Sequence, residues 1–257
     1  MKIALCGLGR AGTQVLRRVI AQEGDAVCMA FCRNGSKKAG QDISDFIPVK
    51  DLSIPIYEVR QAAEVFAREK PDVLIDFSSR QATLQLLPAC KEHGVNMVVC
   101  TTNFKEAELN AMRLAGEQTP GFAIAYAPNI TLGVNVLMHL CEETAKMLPE
   151  FDYAITEKHH NRKMDVSATA KKIADVLEST LHREVQVNSI RAGGYVGLHE
   201  VLAVGEFERI TIIHESFSRQ SFALGALIAA EFLMDKQGYF EMRDIVAHHL
   251  STAKAPA

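Results

Sequence analysis

Ile3-Ala4-Leu5-Cys6-Gly7-Leu8-Gly9-Arg10-Ala11-Gly12 is a short apolar run followed at once by glycines in the spacing G-x-G-x-x-G. Behind it Ala11, Val15, Leu16, Val19 and Ile20 recur at helical intervals. Strand, glycine turn and helix therefore follow one another, which is the context that gives this motif meaning. Gly7 permits the tight turn, Gly9 lets the backbone approach a pyrophosphate, and Gly12 lets helix and strand pack closely. A merely tight turn is the alternative. The position of the motif, directly after a first strand, favours a dinucleotide-binding unit.

Working outward, the alternation of strand and helix continues. Ala26–Phe31 is a second strand, and the residue expected to be acidic at its end, for a ribose 2′-hydroxyl, is Cys32. Arg33, Lys37 and Lys38 follow it. No carboxylate repels a 2′-phosphate there and three cations can meet one, so NADPH is the expected cofactor, with NADH also possible. A helix over 59–69 is set off by Pro71 from the strand Asp72–Phe77, and Ser78-Ser79 cap a helix that Gly94 stops. Asn96–Cys100 is a further buried strand. Thr101-Thr102-Asn103 lie at its C-terminal end, where open α/β sheets bind ligands. With a helix over 105–118 and the strand Phe122–Tyr126, residues 1–128 form a parallel, doubly wound, Rossmann-type domain.

After Ala127-Pro128-Asn129 the pattern changes. A helix over 131–148, with an apolar stripe at Val134, Leu137 and Leu140, precedes Phe151–Thr156, which alternates with period two. A charged loop over 157–166 and a helix to about Leu181 come next, then alternating segments near 184–191, 200–206 and 208–214. Strands without helices between them predict a second, α+β domain over 129–238 with a mixed or antiparallel sheet. The apolar helix Arg219–Met234 belongs to it on this pattern, and residues 239–257 are expected to pack back on the first domain.

The charged loop reads Glu157-Lys158-His159-His160-Asn161-Arg162-Lys163-Met164-Asp165-Val166-Ser167-Ala168-Thr169-Ala170. Arg and Lys hold carboxylates by charge-assisted hydrogen bonds, and histidine exchanges protons near neutral pH. Ser167 and Thr169, with their amides, lie where a helix begins, and helix N-termini attract anions. A small polyanionic substrate suits this cluster. A solvated surface loop is the alternative. In an extended strand His159 and His160 face opposite ways, so both serve one pocket only if the strand has ended by then. Glu157 is read two ways, as an orienter of a histidine or as a strand-end salt bridge, and Arg162 is assigned to solvent.

The chain's 257 residues suffice for two modest domains, with 48% hydrophobic and 23% charged residues, ordinary for a soluble globule. A net charge of -3 and a pI of 6.3 argue against nucleic acid or an anionic membrane as partner. No apolar run approaches the ~20 residues of a membrane span, and no signal-peptide core precedes the first strand. Cysteines 6, 28, 32, 90, 100 and 141 are scattered, with no Cys-x-x-Cys pair, as in the reduced core of a cytoplasmic protein. No metal is expected.

These blocks together resemble the dihydrodipicolinate reductase family, NAD(P)H enzymes of the diaminopimelate route to lysine. Gly7–Gly12 with Arg10 inside it, Val73–Ser79, Cys100–Phe104, Ala127–Asn135 and Glu157–Ala170 carry the likeness, joined by Arg191–His199, Glu208–His214 and Arg219–Ala230. The His-His-x-x-Lys block behind a Rossmann domain is specific to that family. The resemblance implies reduction of a cyclic dicarboxylate imine, with His159 as proton donor and Lys163 assisting. It implies that His160, Ser167, Ala168 and Thr169 hold substrate carboxylates. Cofactor contacts would come from Gly7, Gly9, Arg10, Ala11 and Gly12, from Arg33 and Lys37, and from Cys100, Thr101, Thr102, Ala127 and Asn129. It also implies a homotetramer, since the second domain offers few helices to cover both faces of its sheet.

Two departures stand out. The family usually has Gly-Thr-Thr-Gly where this chain has Cys100-Thr101-Thr102-Asn103. It usually has Asp-Ala-Pro-Ser-Gly-Thr-Ala where this chain has the shorter Asp165-Val166-Ser167-Ala168-Thr169-Ala170. These keep open a sister imine or enamine reductase acting on another carboxylated substrate. A non-catalytic NADPH-binding sensor is a third reading, opposed by the joint presence of His159, His160 and Lys163.

Overall fold

The computed structural model describes residues 1–21, 24–47 and 53–252. Its first strand, β1 (Lys2–Cys6), buries every residue but the first. Ile3 and Leu5 enter one apolar cluster while Ala4 and Cys6 enter another, so both faces of the sheet are covered. The chain then runs through α1 (Gly12–Ile20), β2 (Ala26–Cys32), β3 (Ile56–Glu58) and α2 (Ala62–Glu69). It continues through β4 (Val73–Asp76), α3 (Arg80–His93), β5 (Asn96–Val99), α4 (Glu106–Gln118) and β6 (Ala123–Tyr126). Local chemistry sets the ends of α3. The Ser79 hydroxyl accepts from the Ala82 amide, and Gly94 closes the helix in the left-handed region at φ 65°. The three-residue β3 is too short to show a period.

The next elements are α5 (Leu132–Met147), β7 (Asp152–His159), α6 (Ala168–Leu181), β8 (Gln186–Arg191), β9 (Gly197–Val204) and β10 (Arg209–Ser216). The four strands form a mixed sheet in the order β10-β9-β7-β8, with β7 and β8 parallel and the other pairs antiparallel. Tyr153, Ile155, Val187, Val201, Ala203 and Ile212 share one face and pack beneath Val134, Leu137, Ala170, Ile173 and Leu177 of the two helices.

The chain closes with α7 (Gln220–Leu233), β11 (Gly238–Glu241) and α8 (Met242–Thr252). β11 pairs parallel with β6 and completes a seven-stranded parallel sheet, β11-β6-β5-β4-β1-β2-β3. The strand order turns at β1, which has β2 on one side and β4 on the other. The crevice of such a sheet opens there, beyond the C-terminal strand ends.

Contacts divide the chain into one unit of residues 1–130 with those from Phe222 onward, and a second of Thr131–Ser221. Here the structure corrects the pattern read from sequence, which gives α7 to the second domain. Ala223, Ala226, Leu227, Ala229, Ala230 and Leu233 are buried in the same cluster as Ile3, Leu5 and Val98 of the parallel sheet. A helix apolar on most of its circumference carries no directional stripe, so its partner sheet is invisible in the sequence. Residues 253–257, part of the segment expected to return to the first domain, lie outside the described residues.

Candidate active site

In the first unit, the turn after β1 is built by what its glycines lack. Gly7 has φ 94°, and a Cβ there would lie 2.6 Å from the Phe77 carbonyl. At Gly12 a Cβ would lie 1.9 Å from the Gly7 oxygen. At Gly9 nothing stands within 4 Å. So two glycines allow tight packing, and the third leaves the backbone open to an approaching group. α1 starts behind this turn with Ala11 at its N-cap, no side-chain cap and no acidic residue in its first turn. The positive end of its dipole, with no side-chain cap over it, favours an anion.

Gly7 packs against the Phe77–Ser78 peptide, so the glycine turn adjoins a cleft of about 500 Å³ lined by Phe77, Ser78, Ser79, Arg80, Gln81, Cys100, Thr101, Thr102 and Asn103. Beneath it Asp76, fully buried, accepts the Ser78 amide at 2.8 Å and the Thr83 hydroxyl at 2.5 Å, and Thr83 meets Thr101 at 2.9 Å. Burial pushes the Asp76 carboxyl above its ordinary value, against the hydrogen bonds from Ser78 and Thr83. This buried chain, which sequence reasoning missed, fixes the two loops that line the cleft. Arg80 and Glu108 clamp one rim through bonds of 2.6 and 2.5 Å. Asn103, where the family's glycine is expected, has φ 66°. Asn tolerates that left-handed conformation better than most residues, so the departure keeps the turn. Ala127 is buried, with its amide bonded to Val99 O at 2.8 Å, and Asn129 is half-buried in the turn after β6.

At the end of β2 the absent carboxylate has a neighbour. Glu58, paired across from Cys32, is buried, accepts the Gly35 amide at 2.7 Å and forms an ion pair with Arg60. It anchors the Arg33–Lys38 turn, and its charge is already met. Arg33 and Lys37 are exposed, while Lys38 lies over the Phe46 ring at 5.1 Å.

In the second unit, β7 ends at His159, so His160 is outside the strand. The His160 amide donates to Tyr195 O at 3.0 Å and the Lys163 amide to His160 O at 3.1 Å, which turns the loop back on itself. Strand register puts Ser189, Glu157, His199 and His214 on one rung, with Arg191 beside His159 on the next. These share the face that, two residues earlier along β7, is the apolar core under α5 and α6. One sheet face thus passes from core to polar cluster.

Glu157 is the centre of that cluster, with no exposed surface. His159 Nδ1 meets it at 2.6 Å, and the Ser189 hydroxyl and Ser167 amide donate at 2.7 and 3.1 Å. The Arg191 guanidinium donates to both carboxylate oxygens, at 2.8 and 2.6 Å. Burial alone would raise this carboxyl; the hydrogen bonds from Arg191, Ser189, His159 and Ser167 outweigh it and hold it at about 2. It is therefore ionised, and an ionised carboxylate only accepts. Glu157 thus meets a histidine and forms a strand-end ion pair at once. Burial lowers His159 below the ordinary imidazole value, opposed by Glu157 and reinforced by Lys163 and Arg191.

His199 stacks edge-on to His159 with ring centroids 5.5 Å apart, and its Nε2 meets the Ser167 hydroxyl at 3.1 Å. Burial, with the neighbouring imidazoles of His159 and His214, lowers it to about 4. Ser167 is itself buried, N-caps α6 through the Ala170 amide, and turns its own amide to Glu157. Ser167 is expected from the resemblance to hold a substrate carboxylate; here its hydroxyl and its amide both have partners within the protein. Ala168 and Arg162 are exposed; Lys163 and Thr169 are half-buried. Arg191, His199 and His214 lie in segments that carry the family likeness, but neither they nor Ser189 take a role from the sequence, because register, which brings them to Glu157, is not visible in one strand at a time. Among the described residues no cluster of three or more His, Cys, Asp or Glu could hold a metal ion, and no helix is long and apolar enough to cross a membrane.

Comparison with known proteins bears on this arrangement directly. Residues 1–130 match the family model described as dihydrodipicolinate reductase, N-terminus, and residues 133–246 match its C-terminus model. The chain belongs to the dihydrodipicolinate reductase family. A 4-hydroxy-tetrahydrodipicolinate reductase of Methanopyrus kandleri is 33% identical over 265 residues, covering 95% of each chain. One from Methylococcus capsulatus is 33% identical over 261 residues, covering 93% of this chain and 94% of its own. The dipicolinate-bound dihydrodipicolinate reductase of Paenisporosarcina sp. TG-14 has the same fold, with a TM-score of 0.80 at 22% identity over 94% of this chain and 97% of its own. An amine dehydrogenase of Mycobacterium smegmatis is a more distant structural neighbour, with a TM-score of 0.65 at 12% identity over 95% of each chain. The protein is thus an oxidoreductase of a family that uses a nicotinamide cofactor. All six of this reductase's cysteines are free thiols.

Proposed function

We propose that this reductase uses NADPH to reduce dihydrodipicolinate, a cyclic dicarboxylate imine, to tetrahydrodipicolinate in the diaminopimelate route to lysine. The observation that carries the chemistry is His159, at the end of β7, held through Nδ1 by a buried, ionised Glu157 and followed at once by the loop that bears Lys163. The chemistry a nicotinamide would supply here, when bound, is a hydride for an electron-poor carbon conjugated to the ring imine. His159 gives the proton from Nε2, the ring nitrogen with no hydrogen bond among the described residues. Lys163 assists as a second cation.

The residues fit the cofactor. The Gly7–Gly12 turn, with Arg10 and Ala11, leads to the uncapped end of α1 and leaves space at Gly9 for a pyrophosphate. Arg33 and Lys37, exposed on a turn fixed by Glu58, suit a 2′-phosphate. The cleft lined by Cys100, Thr101 and Thr102, with Ala127 and Asn129 on the next strand end, suits the nicotinamide half. The first unit is then the dinucleotide-binding domain and the second the substrate domain. Substrate carboxylates fall to His160, whose Nδ1 is buried without a partner among the described residues, and to the start of α6 at Ala168 and Thr169. Ser167 shapes that helix end from within.

A homotetramer in the cytoplasm is the proposed assembly and place. α5 and α6 cover one face of the mixed sheet, while Ile190, Val204 and Ile213 on the other face are 44%, 37% and 57% exposed. A sister imine reductase is the second reading. The observation in its favour is that the Ser167 amide donates to Glu157 and so is not offered to a carboxylate. NADPH oxidation with enzymatically generated dihydrodipicolinate, set beside other cyclic imino acids, decides between them. Turnover confined to another imino acid would overturn the first reading.

A further inference from the structure

We infer that Glu157 and Arg191 form a positioning pair that sets both the tautomer and the charge of His159, with Glu157 holding Nδ1 and Arg191 balancing Glu157. The inference rests on the proposal that His159 is the proton donor. Geometry carries it. Glu157 faces His159 from two residues earlier on the same strand, and Arg191 lies beside His159 on the parallel neighbour. The carboxylate is fully buried and takes five hydrogen bonds from protein groups. Since it is acceptor-only, the proton on the neutral imidazole must lie on Nδ1. That leaves Nε2 as the site that gains a proton and gives it up.

The pair also settles an electrostatic conflict. A buried carboxylate 2.6 Å from an imidazole, left to itself, holds the ring charged and spoils it as a donor near neutral pH. Arg191 answers that charge through both oxygens. It also ties the pair to the loop that bears Lys163, donating from Nε to Lys163 O at 3.0 Å and from a terminal nitrogen to Asp165 O at 2.8 Å. The other titratable groups around His159 are Lys163 on the loop, His199 on β9 and, beyond it, His214 on β10. His199, lowered to about 4, is uncharged at neutral pH and leaves the balance to Glu157, Arg191 and Lys163.

Neither residue touches substrate in this account, so loss of activity alone does not test it. The pH dependence of kcat/KM does. As His159 must be protonated to act, activity falls with rising pH through its pKa. Glu157→Gln leaves Arg191 unanswered, so that alkaline limb should move down by about one pH unit or more. Arg191→Gln leaves the carboxylate unanswered, so the limb should move up by a similar amount. The double variant should fall between them, and Arg191→Lys, which keeps the charge, should stay near the native position. Titration of the His159 imidazole by NMR with labelled histidine should show the same ordering without recourse to turnover. Limbs and titrations that stay put, or that move the same way in both single variants, would overturn the inference and leave the pair a structural brace. Should Glu157→Gln fail to fold, the two Arg191 variants carry the same test. Undiminished turnover in His159→Gln would instead refute the proton-donor assignment, while the NMR titrations still judge the pair.

Discussion

A methyl group added at Gly197 should cost activity while leaving stability almost untouched. Gly197 begins β9 beside His159, and a Cβ built on it would lie 3.1 Å from His159 Nε2 and 3.7 Å from Cδ2 and Cε1. Ordinary carbon contacts fall at about 3.5–4.0 Å, so the ring must yield by roughly half an ångström. It cannot yield by sliding, because Nδ1 is held at 2.6 Å by a carboxylate that is itself bonded on every side. Rotation about that anchor displaces Nε2, the atom proposed to carry the proton. A misplacement of about 1 Å costs about a hundredfold in rate, so half of that should cost roughly tenfold in kcat. The methyl group also keeps water from Nε2, which disfavours the imidazolium and moves the alkaline limb to lower pH.

Stability should respond differently. Gly197 lacks the positive φ that only glycine takes easily, and alanine in a strand is favoured over glycine by roughly 0.5–1 kcal/mol. That gain offsets much of the strain of the contact, so the melting temperature of Gly197→Ala should stay within a few degrees of the native value. Steady-state kinetics and a thermal melt on the same preparation make the assay. Native turnover with a lower melting temperature would refute the reasoning, since it would make Gly197 a packing glycine with no bearing on the proton donor.

His159→Gln and Lys163→Ala should each cut turnover by roughly 10²–10⁴, with NADPH affinity unchanged by calorimetry. Native turnover in both would return the cluster to the solvated-loop reading. NADPH should bind roughly tenfold or more tightly than NADH, with Arg33→Ala abolishing the difference, because a charge-assisted phosphate contact contributes on the order of 1.5–3 kcal/mol. Equal dissociation constants would sink that. Light scattering should show a tetramer at micromolar concentration, and a monomer would rule out the proposed use of the open sheet face. Acid should destabilise the second unit in two steps. His199, at about 4 in the fold, takes its proton first in the unfolded chain, so its contribution is whole above about pH 6.5 and is lost as pH falls towards 4. Glu157, at about 2, likewise contributes fully above its unfolded value and loses this as pH falls from about 4.5 to 2. A urea midpoint that stays constant from pH 7.5 to 4.5 would contradict the first step.

The parallel sheet was legible because its evidence is local. β1, β4 and β6 are apolar runs closed within two residues by glycine, serine or proline, and G-x-G-x-x-G names both the turn and its neighbours. β3 was not legible: three residues, Ile56-Tyr57-Glu58, cannot display a period, and they follow residues without a clear pattern. The placement of α7 failed for the opposite reason, an excess of apolar residues. Ala223 to Leu233 would bury against any sheet, and only the assembled core decides which.

The site divides along the same line. His159, His160 and Lys163 were found because they are close in sequence and chemically conspicuous. The groups that give His159 its character come from three other segments: Arg191 and Ser189 on β8, His199 on β9, and the Ser167 cap of α6. Each is ordinary in its own segment. What makes them a unit is a register in which Glu157 stands opposite Ser189 on one side and His199 on the other, two residues beyond the core pair Ile155 and Val201. The apolar residues under α5 and α6 fix that register, because a slip of one residue would expose Ile155 and bury Thr156 and Lys158. The polar cluster therefore inherits its geometry from the hydrophobic part of the same sheet face. Substitutions at Ile155 or Val201, which lie in the apolar core two residues from the polar cluster, are expected to act on the proton donor by loosening the strands that aim it.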